Sequence, residues 1–127
     1  MSKKIMPPRA LAFLLSEDDH GRSRNNVTIP SGTGVVNAGT VLGELTATKG
    51  HFVPSPNAEE VGVEGAEVGK ALLGYPVDAT SEDVEVMIVD TDAQVKIGHL
   101  NFHASVDDAT KVAAKIAQLQ AVGIRAR

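Results

Sequence analysis

No cysteine occurs among the 127 residues, so the chain has no disulfide, no thiolate metal ligand and no cysteine nucleophile. Aromatics are almost as scarce, with Phe13, Phe52, Phe102 and Tyr75 the full set. Stacking on single-stranded nucleic acid needs more of them. There is no basic excess either: 12 Lys and Arg against 16 Asp and Glu leave a net charge of −4, the wrong sign for a binder of phosphate backbones. Long apolar runs are missing as well. The longest, Ala10–Leu15, has six residues, where a membrane span needs about 20 and the apolar region of a signal peptide about 7–15. It leads to Ser16-Glu17-Asp18-Asp19 without a small-residue cleavage site, so the reading is of a protein made and kept in the cytoplasm unless something larger carries it.

What is present is small and apolar. Hydrophobic residues make up 43% of the chain, and 12 glycines and 6 prolines punctuate it, the composition of a turn-rich single domain. From Val27 onward, short apolar runs alternate with turns. Val27-Thr28-Ile29 stops at Pro30-Ser31-Gly32, Val35-Val36 at Asn37-Ala38-Gly39, and Val41–Thr46 before His51-Phe52-Val53. Residues 54–67 read as a polar, acidic surface loop. Lys70–Tyr75 and Pro76–Thr80 read as a buried strand kinked at Gly74 and Pro76. Val84, Val86 and Ile88 alternate with Glu85, Met87 and Val89, the plainest strand in the chain, and Ala93-Gln94-Val95 continues the sheet. Short strands joined by turns predict a mainly β protein, a small antiparallel clip or barrel-like body.

The C-terminus changes period. Ala109, Val112, Ala113, Ile116 and Leu119 recur at helical spacing, which predicts one α-helix over 106–122 with an apolar core stripe. Ser105 with Asp108 offers a start signal, and Gly123 a left-handed stop that lets Ile124 touch Leu119. The domain therefore runs over 25–127, preceded by an extended segment over 1–24.

Reactive constellations are hard to assemble. His99 and His103 have zinc-helix spacing, but they flank Leu100-Asn101-Phe102 after Gly98 with no Cys or Glu to complete a set, and read as surface histidines. Asp18-Asp19-His20 is a solvated cluster, since three adjacent residues rarely converge on one ion. Ser31-Gly32-Thr33-Gly34 lacks the Gly-Lys-Ser/Thr ending of a phosphate loop and leads to a strand, so it is a turn. No serine sits in a nucleophile elbow. Neither a catalytic set, a metal site nor a cofactor is expected, and the chain reads as no enzyme. Lys49, in Thr48-Lys49-Gly50, supports one alternative, a small carrier or enzyme accessory domain with Lys49 as attachment site. Lipoyl and biotinyl domains carry a lysine on a hairpin tip and a phrase similar to Ala38–Leu42, but the flanking Asp-Lys or Met-Lys-Met context and the paired halves are not here.

The N-terminal segment has two readings. Pro7-Pro8 keeps the approach to Ala10–Leu15 extended. The apolar run is either a strap over the domain's own core or an arm that orders on a partner by adding a strand or filling a groove.

Taken together, several phrases resemble the lambda-type head decoration proteins of tailed bacteriophages. Phe13–Glu17, Gly21–Arg24 and Val27–Ile29 look like that family's opening. Ala38–Gly43 and Val53-Pro54 follow at similar spacing. Val77–Thr80, Val86–Val89, Ala93–Val95, Ile116–Leu119 and Gly123-Ile124 match its later strands, last helix and final short strand. The resemblance runs from about residue 12 to the end. Asp18-Asp19-His20 and Asp90-Thr91-Asp92 depart from it in surface detail. It implies a homotrimeric virion protein with a β-clip body. Such a protein is made late in the host cytoplasm and cements the major capsid protein at threefold sites on the outside of the expanded head. Neither nucleic acid nor membrane is a direct partner. It also favours the arm reading, with Leu11, Phe13, Leu14, Leu15, Arg22 and Arg24 as capsid-binding residues and with residues 1–15 removable from a folded body.

Overall fold

The computed structural model describes residues 13–17, 24–91 and 93–127. They form a mainly β body of ten strands and one α-helix. Of the expected extended arm over 1–24, residues 1–12 with Leu11 and residues 18–23 with Arg22 lie outside the described residues.

The central sheet has the order β2-β8-β6-β4-β5, from strands Arg24–Ile29, Val84–Val89, Ala71–Leu73, Val41–Glu44 and Phe52–Pro54. Every pairing in it is antiparallel. Its two outer strands also meet: Thr28 bridges His51, and the Thr28 N–H donates to the Gly50 carbonyl at 2.9 Å. The sheet thus curls nearly closed, which removes most of the exposed backbone edge a flat sheet would carry. Gly43 lets the 54–67 loop lie directly on β4, because a Cβ there would collide with the Ala66 backbone.

Strand alternation splits the apolar residues between two cores. Leu42, Leu73, Val86 and Ile88 point inward with Ile29 and Phe52, and the two-stranded antiparallel sheet of β3 (Gly34–Val36) and β7 (Val77–Ala79) packs Val36 and Val77 against them. Val41, Leu72 and Val89 point outward from the same strands into a second core. Lys70–Thr80 is therefore not one kinked strand. β6 ends at Leu73 in the central sheet and β7 begins at Val77 in another, with Gly74 and Pro76 at the break.

A second layer covers the outward face. β9 (Ala93–Val95) is flanked by β1 (Leu14–Glu17), antiparallel, and by β10 (Ile124–Ala126), parallel. Phe13, Val95, Leu119 and Ile124 fill the space between this sheet, the helix and the central sheet. A 3-10 turn at Ile97–His99 leads towards the helix.

The helix α1 spans Ala109–Ala121, three residues later at its start than its periodicity suggests. Its cap is Asp108, whose carboxylate accepts from the Lys111 N–H at 2.9 Å. Ser105 is engaged elsewhere. Its hydroxyl contacts His103 Nδ1 and accepts from the Asn57 N–H, both at 2.8 Å. Gly123 adopts φ 92° and ends the helix as expected, with Leu119 and Ile124 in one core. The buried face is rotated from the expected stripe: Lys115 and Leu119 face inward while Ala109 and Ala113 are exposed.

Candidate functional site

Among the described residues no three His, Cys, Asp or Glu side chains group as a metal site would require. His99 lies exposed in the 3-10 turn, whereas His103 is half-buried on Ser105. Ser31–Gly34 forms the turn between β2 and β3, as its sequence predicts. Lys49 is exposed on the connection between β4 and β5, a hairpin tip without the flanking residues of a carrier lysine.

The segment given to capsid binding divides within a few residues. Phe13 is 1% exposed, seated in the second core and packed on Gly39, where its Cδ1 lies 3.3 Å from the position a Cβ would take. Its carbonyl accepts from the Lys96 N–H at 2.7 Å. Leu14 is half-buried against the same core. Leu15 is 47% exposed and points away. β1 is the outermost strand of its sheet, so its second backbone edge faces no other strand among the described residues. Arg24 opens β2, paired with Val89. An edge strand with an exposed leucine is a surface that can take one more strand.

A feature not visible in the sequence sits under the 54–67 loop. Lys115, 1% exposed, sends its ammonium to Ser55 Oγ at 2.7 Å and to the carbonyls of Pro56 and Glu67, each at 2.6 Å. Three acceptors match the three N–H bonds of the ammonium. Burial pushes the amine below its ordinary range, and the nearby Glu67 charge pulls it back up. Ser55 Oγ in turn donates to the Ala66 carbonyl at 2.6 Å. The loop is therefore exposed only in its middle. Ser55, Pro56 and Ala66 are buried, and one cation ties both ends to α1. The available signal was spacing, since residue 115 lies three after Val112 and four before Leu119.

Above that clamp opens a cleft of about 430 Å³, walled by the β2–β3 turn, the β4–β5 hairpin and the loop. Pro30, Leu45, Val53, Pro54, Pro56 and Val63 make its walls mainly apolar, with Glu60 and His103 at the polar positions. Val61 beside it is fully exposed.

A second, polar cleft contains Asp90 with Asn25, Glu44 and Lys70. Partial burial raises the Asp90 carboxyl above its ordinary 3.8, with a hydrogen bond from Asn25 acting in the opposite direction. A carboxyl raised in the folded state stabilises fully below the unfolded value and loses that contribution as pH climbs through the folded one. At neutral pH ionised Asp90 is thus a net cost. Asp90→Asn is expected to melt above the parent at pH 7, with the gap closing as pH falls through the raised folded value towards 3.8. Thermal unfolding of both proteins across that range checks it, and an unchanged or lower melting point at pH 7 would contradict the sign.

The geometry is that of a surface that holds, with no reacting centre assembled among the described residues. Compared with known proteins, the chain matches a family model described as "Bacteriophage lambda head decoration protein D" over residues 4–124. No curated protein matches it.

Proposed function

Because the chain belongs to the bacteriophage lambda head decoration protein D family, we propose that it docks as trimers at threefold sites on the outside of the expanded head. There it cements neighbouring major capsid subunits against the pressure of packaged DNA. The family is one of structural phage-head proteins that associate with the capsid, and not one of enzymes. The family match over nearly the whole chain carries the reading.

One feature of the body suits the role, and the proposed symmetry multiplies it. β1 leaves an edge at which the preceding residues can continue as a strand paired to the coat, with Leu11 and Leu15 as apolar contacts and Arg22 and Arg24 nearby in sequence. Closed threefold symmetry gives each trimer three such arms, so every contact after the first becomes intramolecular and avidity rises without new chemistry.

The test is made on expanded shells. A protein that binds the assembled shell and not dispersed coat stabilises it by mass action, about 2.7 kcal/mol per site at a hundredfold excess over Kd. Saturated shells are expected to melt higher than bare ones, with bound copies in multiples of three per threefold site. Calorimetry and light scattering read both quantities. An unchanged shell melting point sinks the cement role, and a stoichiometry incompatible with threes sinks the trimer.

A further inference from the structure

The three-stranded sheet presents a basic outer face that the free edge of β1 does not explain. We propose that this face is a second docking surface for the coat, setting Lys96, Arg125 and Arg127 against a carboxylate-bearing patch, with Ile97 as the apolar contact. The inference rests on the decoration reading and names the chemistry of a surface that reading needs.

Charge is unevenly divided along the chain. Residues 25–92 hold eleven acids and two cations, whereas residues 93–127 hold two acids and five cations. Both acids of the second stretch, Asp107 and Asp108, face the Lys111 ammonium, at 2.8 and 4.0 Å. Lys115 is buried under the 54–67 loop. Lys96, Arg125 and Arg127 remain. All three are exposed, and none forms an ion pair among the described residues.

Strand geometry gathers them on one face. Alternation turns Ala93 and Val95 into the second core and leaves Gln94 and Lys96 outward. On β10 it turns Ile124 and Ala126 inward and Arg125 and Arg127 outward. Arg125 lies opposite Gln94 in the parallel register. One position on, the Arg127 N–H donates to the Val95 carbonyl at 2.8 Å and its carbonyl accepts from the Ile97 N–H at 3.0 Å, which sets Arg127 opposite Lys96. Ile97 follows, 41% exposed. Like charges directly opposite on neighbouring strands destabilise a sheet, and no acid among the described residues offsets these. An anion brought by a partner removes that cost.

The face adjoins the edge already given to the coat. The Lys96 N–H donates to the Phe13 carbonyl at 2.7 Å, so the cations stand beside β1 and its exposed Leu15.

This distribution selects an acidic protein surface. The arginine fork pairs with a carboxylate through two parallel hydrogen bonds. Binders of phosphate backbones neutralise about 6–10 phosphates, more than three cations supply in a chain of net charge −4. The acid-rich remainder is repelled by the same coat patch, so the field turns the basic face towards the shell during approach.

The test compares Lys96→Glu and Arg125→Glu with Lys49→Glu, which makes the same change of charge at an exposed hairpin tip. Association with expanded shells is followed at low and high ionic strength. Parent binding is expected to weaken as salt rises. Lys96→Glu and Arg125→Glu should each lower shell affinity about tenfold at low salt, chiefly through slower association, and flatten the salt dependence. Lys49→Glu should stay within about twofold of the parent. Both patch variants should melt no lower than the parent, because each relieves repulsion between the cations. A parent that does not bind shells would sink the decoration reading and this inference with it. With parent binding intact, patch variants that bind like Lys49→Glu overturn this inference alone. So does a binding loss matched by a lower melting point, which would assign the cations to the fold. A loss matched by a change in the oligomeric mass of the free protein overturns it too, since the face would then belong to a second copy.

Discussion

Removing residues 1–12 is expected to leave the unfolding midpoint unchanged, whereas removing residues 1–15 should lower stability by on the order of 3–5 kcal/mol. The difference is Phe13. An apolar segment isolated between Pro7-Pro8 and an acidic cluster reads as separable from the body up to Leu15, but the ring of Phe13 is 1% exposed in the second core. Its loss leaves a cavity among Val95, Leu119 and Ile124, and truncation also strips the Lys96 N–H of its acceptor. Phe13→Ala in the full chain should reproduce most of the loss. Denaturant titrations of the three proteins test the assignment, and a Phe13→Ala variant as stable as the parent would refute it. The shorter truncation isolates the arm. Its affinity for expanded shells is expected to fall at least tenfold, about 1.4 kcal/mol, with its circular dichroism unchanged. Normal shell binding by that truncation would leave the arm without a role.

Lys115 is the second position where one substitution should be costly. Lys115→Ala leaves Ser55 Oγ and the Pro56 and Glu67 carbonyls without their donor, each unmet group costing about 1–3 kcal/mol. It also empties the space of the side-chain stem. A total loss on the order of 3–5 kcal/mol is expected, with part of it recovered in relaxation. Lys115→Met restores the stem but no donor, so the difference between the two variants separates packing from hydrogen bonding. Hydrogen exchange gives a local readout: amides of residues 57–67 should lose protection in both variants. If Lys115→Met matches the parent in stability and exchange, the ammonium is not what holds the loop.

The pattern of what could be read in advance follows from the range of each interaction. β8 and α1 were legible because period-2 and period-3.6 spacing are local properties. The left-handed Gly123 was legible for the same reason, as a residue type that answers one backbone demand. The helix start was misplaced because Ser105 and Asp108 both suit a cap locally. The choice was made by Asn57 and His103, which occupy the Ser105 hydroxyl. The helix face was misread because α1 packs on one side only, and Lys115 reaches acceptors supplied by residues about 50 or more positions earlier. No window on the sequence contains both ends of that contact. Among the candidate binding residues, spacing marked Ala10–Leu15 as special but could not divide it. That division comes from the register shift between Leu14 and Ser16 where β1 pairs with β9, which breaks the alternation that would put Phe13 and Leu15 on one face.

The position of β9 also constrains the order in which the chain folds. Its two neighbours come from opposite ends of the described chain, with Leu14 on one side at Val95 and Ile124 on the other at Ala93. The central sheet can assemble from β2 to β8 without either. Pairing β1 to β9 closes a loop containing nearly the whole central sheet, a contact whose entropic cost comes before its reward. The β1–β9 pairing is therefore expected to form late, after the folding transition state. Mutations in it should speed unfolding and scarcely slow folding. β1, the strand that borders the arm, is joined to the body at that late-forming seam.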